Sequence, residues 1–292
     1  MKQYLDALSN ILTLGDVRMD RTGTGTIGLF GTQQRYDLRA GFPAVTTKKL
    51  AWRAVVSELL WFIEGSGDER RLCEILHGTR DADKKTIWTG NAQAPYWKDK
   101  AKFNGDVGRI YGVQFRHWQT GKKHWISSSE EEPVEIDQLA NLIDGIKKDP
   151  YGRRHILSAW NPSELDQMAL PPCHIMAQFY VNSKNELSCH MYQRSNDFFL
   201  GCPFNIASYS LLTHMIAQVC GLGVGEFIHT TGDAHIYSNH IEQVKEQLSR
   251  EPLLLPILIM NKEIMDINSF KMDDFSLEGY KCHDAIKAPM AV

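Results

Sequence analysis

Ile175-Met176-Ala177-Gln178-Phe179-Tyr180-Val181, then Asn182-Ser183-Lys184-Asn185-Glu186, then Leu187-Ser188-Cys189-His190-Met191-Tyr192-Gln193-Arg194 is the stretch that decides the fold. Both flanks have strand composition and the residues between them are turn formers, so a β-hairpin is expected. Pairing Val181 near Glu186 or Leu187 and counting in antiparallel register puts Cys173 opposite Arg194 or Ser195, give or take about two residues. The hairpin thus sets a thiol beside a guanidinium and a hydroxyl. Pro171-Pro172 fix the chain's approach to Cys173. A nearby cation lowers a thiol's pKa and favours the reactive thiolate, which makes Cys173 the candidate nucleophile. An inert core thiol is the alternative.

Outward from the hairpin, Asn205 to Cys220 is expected as a long buried helix ending at Gly221. Upstream, Tyr4 to Leu14 has helical apolar spacing and stops near Gly15, and Ile27 to Leu38 has strand character after the loop Asp20 to Thr26. Leu50 to Ile63 is apolar nearly all round and closes at Gly65, so a buried helix is expected. Ile136 to Lys148 is an amphipathic helix ended by Asp149-Pro150. Gly78 to about Gly108 has mixed polarity and yields no assignment. Thr120 to Pro133, with Ser127-Ser128-Ser129-Glu130-Glu131-Glu132, has the composition of a solvated surface excursion. No repeat or linker interrupts the chain. The expectation is one α+β domain over residues 1–292, a mixed sheet with flanking helices.

The 292 residues are 43% hydrophobic and 23% charged, as in ordinary globular proteins. A formal net charge of −3 removes the general electrostatic case for a nucleic-acid or membrane-surface protein. No apolar run has the length of a signal peptide or a span. The six cysteines include no close pair at zinc-ligand spacing, so reduced thiols in a cytoplasmic protein, without a metal, are expected.

Arg21, Arg153, Arg154 and Arg194 sit in short polar signals, and Ser195 follows Arg194. Guanidinium forks suit the oxygens of a phosphate, although such arginines also serve as surface ion-pair partners. Glu58 lies within Val55-Val56-Ser57-Glu58-Leu59-Leu60-Trp61-Phe62. Its carboxylate either meets solvent on a helix face or occupies a pocket that raises its pKa and suits it to proton transfer.

Together with Pro171-Pro172-Cys173-His174, several segments resemble the thymidylate synthase family. They are Asp20-Arg21-Thr22-Gly23-Thr24-Gly25-Thr26, Gly41-Phe42-Pro43-Ala44-Val45-Thr46-Thr47-Lys48, Tyr192-Gln193-Arg194-Ser195, Pro203-Phe204-Asn205-Ile206-Ala207-Ser208-Tyr209 and Asp233-Ala234-His235-Ile236-Tyr237-Ser238-Asn239-His240. The resemblance implies that Cys173 attacks carbon six of the uracil of deoxyuridine monophosphate (dUMP), with 5,10-methylenetetrahydrofolate as co-substrate. It implies proton handling by Glu58, and a surrounding network that includes Tyr111 and His174. Arg21, Arg194 and Ser195 correspond to a phosphate site, with Gln193 also on the substrate. Arg153 and Arg154 correspond to a pair reaching over from the other subunit of a homodimer, built on the sheet face. His235 and Tyr237 match contacts to the sugar hydroxyl. Trp88, Asp197 and Ala291 correspond to the folate side, Asp197 with a catalytic part as well. Neither a membrane nor a nucleic acid is required.

Asn205 is the discriminating position in the resemblance, since an amide both donates to and accepts from the uracil edge whereas an ionised Asp only accepts. An Asn that merely caps the start of the helix is the bland alternative. Some positions depart from the family's pattern. Thr89-Gly90-Asn91 replaces an acidic pair after Trp88, Arg109 stands where proline is usual, Asn196 resembles the hydroxymethylase version, and Cys282-His283-Asp284 replaces Pro-His-Pro. A dUMP hydroxymethylase, which admits water where a synthase excludes it, is therefore the second expectation. Trp88 and the C-terminal Ala288-Pro289-Met290-Ala291-Val292, the parts that exclude water, favour methylation. A Cys–His hydrolase is disfavoured because adjacent residues on an extended chain face opposite ways.

Overall fold

The structure, a computed structural model, describes residues 1–19, 23–120 and 135–289. Along the chain come α1 (Lys2–Leu14), β1 (Asp16–Arg18), β2 (Thr26–Asp37) and α2 (Trp52–Glu64). There follow α3 (Glu69–His77), α4 (Thr89–Ala92), α5 (Pro95–Lys98), α6 (Tyr111–Arg116), β3 (Trp118–Gln119), β4 (Glu135–Ile136), α7 (Gln138–Lys148) and β5 (Ile156–Ser158). The last part runs β6 (His174–Val181), β7 (Glu186–Asp197), α8 (Gly201–Val219), β8 (Gly223–Tyr237), α9 (Ile241–Leu248), β9 (Ile257–Met260) and β10 (Phe275–Glu278). The class is α+β with a mixed sheet. Contacts divide the chain into two compact units, Met1–Val56 with Cys173–Val292, and Ser57–Pro172.

In the first unit five strands run in the order β1-β2-β8-β7-β6. β6 and β7 are antiparallel, with Val181 opposite Leu187 and His174 opposite Gln193. That is the register the hairpin signal predicts. β8 joins parallel to β7 and antiparallel to β2, so it sits at the centre. Nothing in the sequence reading marks β8 as a strand, because Gly223, Gly225 and Gly232 interrupt it and many of its residues are polar.

One face of the sheet is closed. Leu187, Cys189, Met191 and Gln193 are buried there, and Tyr209 of α8 stacks on Phe227 of β8 at 6.2 Å. On the other face Gln33, Arg35, His190, Met176 and Tyr180 are exposed. α8 begins at Gly201, four residues before the expected Asn205. The Asp197 carboxylate accepts from the Phe199 and Leu200 N–H groups, 3.0 Å each, and so organises the turn into the helix. Asn205 therefore sits one turn inside α8, and the cap alternative for it falls.

In the second unit Ser57 and Leu59–Ile63 of α2 are buried, as their apolar density predicts. Asp68 accepts from the Arg70 N–H at the start of α3, and Asp137 from the Ala140 N–H at the start of α7. The unassigned stretch from Gly78 to Gly108 holds α4 and α5, four residues each and too short to leave a periodicity. Trp97 Nε1 donates to the Asp106 carbonyl at 2.7 Å and ties this stretch together. Arg109, unexpected beside the family pattern, pairs with the buried Glu164 at 2.8 Å.

Candidate active site

The first unit carries the thiol and most of the polar groups expected to bind substrate. The Arg194 N–H donates to the Cys173 carbonyl at 2.8 Å, so the two residues face each other across the hairpin. Cys173 is half-buried, whereas Cys73, Cys189 and Cys202 are buried, and all six cysteines are free thiols. His174, next in the chain, is buried and holds Tyr209 Oη through Nδ1 at 2.8 Å. Burial, with a smaller contribution from His229, pushes its pKa down to about 3, which keeps the ring neutral.

Alternation along β7 aims Gln193 into the core, where it is 3% exposed. Its Nε2 donates to the Ser195 carbonyl and to Asn205 Oδ1, 3.0 Å each. Its Oε1 faces His229 Nε2 at 2.9 Å. The strand pairing sets Ser195 opposite Asp233 and Asp197 opposite His235. His235 Nδ1 lies 3.1 Å from Asp233 Oδ1, and Arg18 pairs with Asp233 at 2.5 Å. The His235 bond, more than the Arg18 pair, holds the Asp233 carboxyl below its ordinary range. Tyr237 packs edge-on to His235 with ring centroids 5.2 Å apart.

Lys48 of the Thr46-Thr47-Lys48 motif is 7% exposed, its ammonium 3.5 Å from the Phe199 ring centre. Burial pushes its pKa down to about 7, against the pull of Asp197. His240 Nε2 donates to the Pro289 carbonyl at 2.6 Å, which tethers the C-terminal segment. Arg21 and Ala291 lie outside the described residues, as does most of the 119–135 excursion.

The second unit carries the proton-transfer candidate. Trp88 Nε1 donates to Glu58 Oε1 at 2.7 Å. Around that pair stand aromatic rings: Trp61 and Tyr111 each lie 5.9 Å from Trp88, and Phe62 lies 5.0 Å from Tyr111. Burial pushes the Glu58 carboxyl up to about 7, with the indole N–H pulling back part of the shift. Glu58 itself is half-buried, with the indole bond and the rings on its pocket side. A carboxyl balanced near neutrality can both take and give a proton.

Behind Trp88 stands a residue the sequence reading missed. Glu69, 1% exposed, accepts from Arg70 at 2.6 Å and from the Thr86 and Thr89 hydroxyls at 2.6 and 2.7 Å. Thr86 Oγ1 in turn accepts from the Trp88 N–H at 3.1 Å. Thr89 thus fits a site whose carboxylate comes from α3, and the change from the family's acidic pair leaves Trp88 anchored. Arg153 and Arg154 belong to the second unit, between α7 and β5. Both are exposed, and neither guanidinium has an ion pair among the described residues.

The fold is α+β with a mixed sheet; one unit carries the half-buried hairpin thiol and the other a carboxyl that burial raises to about 7. The family model for thymidylate synthase matches residues 2–292, and the chain belongs to that family. The family transfers a one-carbon unit to a pyrimidine deoxynucleotide and uses a co-substrate of the methylenetetrahydrofolate type. Among the described residues no cluster of His, Cys, Asp or Glu could hold a metal ion, and no helix is long and apolar enough to cross a membrane.

Proposed function

We propose that this protein converts dUMP to dTMP by reductive methylation, through a covalent adduct at Cys173. The observation that carries this reading is the Cys173–Arg194 pairing across the hairpin, 2.8 Å from amide to carbonyl. A guanidinium-bearing residue beside the thiol favours thiolate and leaves a fork for a phosphate. The thiolate adds to carbon six of uracil, and the ring electron pair moves towards carbon five and the ring oxygen as an enolate. Asn205 hydrogen-bonds the base edge, and Ser195, Arg194 and Arg21 hold the phosphate. Glu58 moves protons at the ring oxygen. Carbon five, once joined to the one-carbon unit, gives up its proton as tetrahydrofolate leaves that unit; the Cys173 thiolate would depart only when hydride reaches the unit, which restores the ring double bond.

The aromatic wall around Trp88 and the Glu58 carboxyl suit a flat pterin ring, so these residues with Asp197 and Ala291 would hold the folate. When bound, 5,10-methylenetetrahydrofolate supplies the one-carbon unit and the hydride that reduces it. Trp88, 6% exposed and tied to Glu58, keeps water from that step. The working form is a homodimer through the open sheet face, in which the exposed Arg153 and Arg154 reach the partner's phosphate. The 1–292 chain acts as one catalytic domain in a reducing cytoplasm.

The test is the mass of the nucleotide after incubation with dUMP and methylenetetrahydrofolate. A methyl product with equimolar dihydrofolate is expected. A hydroxymethyl product with tetrahydrofolate released unoxidised would overturn methylation and make the enzyme a hydroxymethylase.

A further inference from the structure

In the proposed function Asn205 reads the base, yet a side-chain amide can read either pyrimidine. With Nδ2 towards the ring oxygen and Oδ1 towards the ring N–H it matches uracil. Turned by half a rotation, it offers a donor to the bare ring nitrogen of cytosine and an acceptor to its amino group. The preference therefore lies in whatever stops the amide from turning.

The polar chain behind Asn205 has one consistent direction. The Ser195 carbonyl can only accept, so the atom of Gln193 lying 3.0 Å from it is Nε2. That same nitrogen donates to Asn205 Oδ1 at 3.0 Å. Gln193 Oε1 then needs a donor, and His229 Nε2 stands 2.9 Å away. His229 Nδ1 is left as an acceptor, with Cys202 Sγ at 4.0 Å. Burial holds the Cys202 thiol protonated and pushes the His229 pKa down to about 3, so the pair stays neutral with the ring proton on Nε2. His229 is 0% exposed and stacks on Phe227 at 5.8 Å. Thr231 Oγ1 is a weaker neighbour of Nε2 at 3.4 Å.

We propose that His229 is a positioning residue for base choice: its Nε2–H fixes Gln193, and Gln193 locks the Asn205 amide in the uracil-reading rotamer. This rests on Asn205 meeting the base. The Ser195 carbonyl biases Gln193 in the same direction, so loss of His229 weakens the lock without abolishing it.

The experiment measures dissociation constants of deoxyuridylate and deoxycytidylate on the full chain, for wild type, His229→Phe and His229→Gln. Phe keeps a flat ring against Phe227 and removes the donor. The preference for deoxyuridylate is expected to fall about tenfold, the size of one buried hydrogen bond. Gln, whose amide nitrogen overlays the imidazole Nε2, restores an N–H at that place and most of the preference, whereas a merely structural role would weaken both nucleotides alike. An unchanged ratio in a folded His229→Phe protein overturns the proposal. The tautomer of wild-type His229, read from long-range proton–nitrogen NMR correlations, decides independently of any variant: Nε2–H is required, and Nδ1–H overturns it. Wild type that binds no deoxyuridylate would instead sink the proposed function.

Discussion

Two polar groups in apolar surroundings, one in each unit, have opposite chemistry: His229 is fully buried and Glu58 half-buried. Glu58 sits among Trp61, Phe62, Trp88 and Tyr111, with the Trp88 indole as its hydrogen-bond donor, and burial lifts its pKa to about 7. His229 sits between Phe227 and Gln193, bonded towards Gln193 Oε1, and burial drops its pKa to about 3. Desolvation disfavours the charged form in both cases. For an acid that moves the pKa towards neutrality, and for a base it moves it away. The same kind of apolar packing therefore suits Glu58 to the proposed proton transfer and keeps His229 a neutral ring with one N–H to donate.

The largest effect should come from the group proposed to make the covalent bond. Cys173→Ser is expected to cut turnover by about 10⁴-fold or more while leaving deoxyuridylate affinity within about threefold. Stopped turnover with intact binding, followed by calorimetry, would assign bond formation to the hairpin and leave binding to its neighbours. Substantial residual activity would remove Cys173 as the nucleophile.

Next comes the titrating member of the comparison. Glu58→Gln keeps an acceptor for Trp88 and removes the proton, so kcat is expected to fall about 10²- to 10³-fold. Its stability should respond in the opposite sense to its activity. The folded pKa lies above the ordinary 4.5, so the wild-type carboxyl contributes stability below about pH 4.5 and loses it as pH rises through about 7. Glu58→Gln lacks that loss. Relative to wild type it should gain roughly 2 kcal/mol between pH 5 and 9 in urea titrations, part of the full shift being offset by residual exposure. A pH-independent difference would mean that Glu58 is ionised in the folded protein throughout.

The same contrast explains what was legible in the sequence. The Cys173–Arg194 register could be counted to within the expected two residues because β6 and β7 alternate from Val181 to Met176 and a turn of Asn and Ser joins them; the one-residue shift between Met176 and His174 lies inside that margin. α2 and α7 showed themselves by apolar spacing, and the structure moves their starts by two residues, to Trp52 and Gln138. β8 stayed hidden because its glycines and its buried His229 and Thr231 break the hydrophobic pattern, although Phe227, His229 and Thr231 recur with period two. Glu69 could not be found from local sequence, since its partners Thr86 and Thr89 are seventeen and twenty residues away. Strand-borne polar groups are legible through register; groups joined across irregular loops are not.

The smallest effect tests whether Trp88 tunes Glu58 or only covers it. The indole N–H bonds the carboxylate at 2.7 Å and works against the upward push of burial. Trp88→Phe retains the ring and removes that donor, so the Glu58 pKa should rise further, by about one unit, the value of one hydrogen bond to a charged group. The pH–rate limb near 7 would move upward by that amount, and a carbon-13-labelled glutamate titration would follow Glu58 directly. Trp61 and Tyr111 still wall the site, so the maximal rate should change less than in Glu58→Gln. A shift of the opposite sign would mean that lost packing lets water reach the carboxylate, and that Trp88 raises the pKa by excluding solvent more than it lowers it by donating.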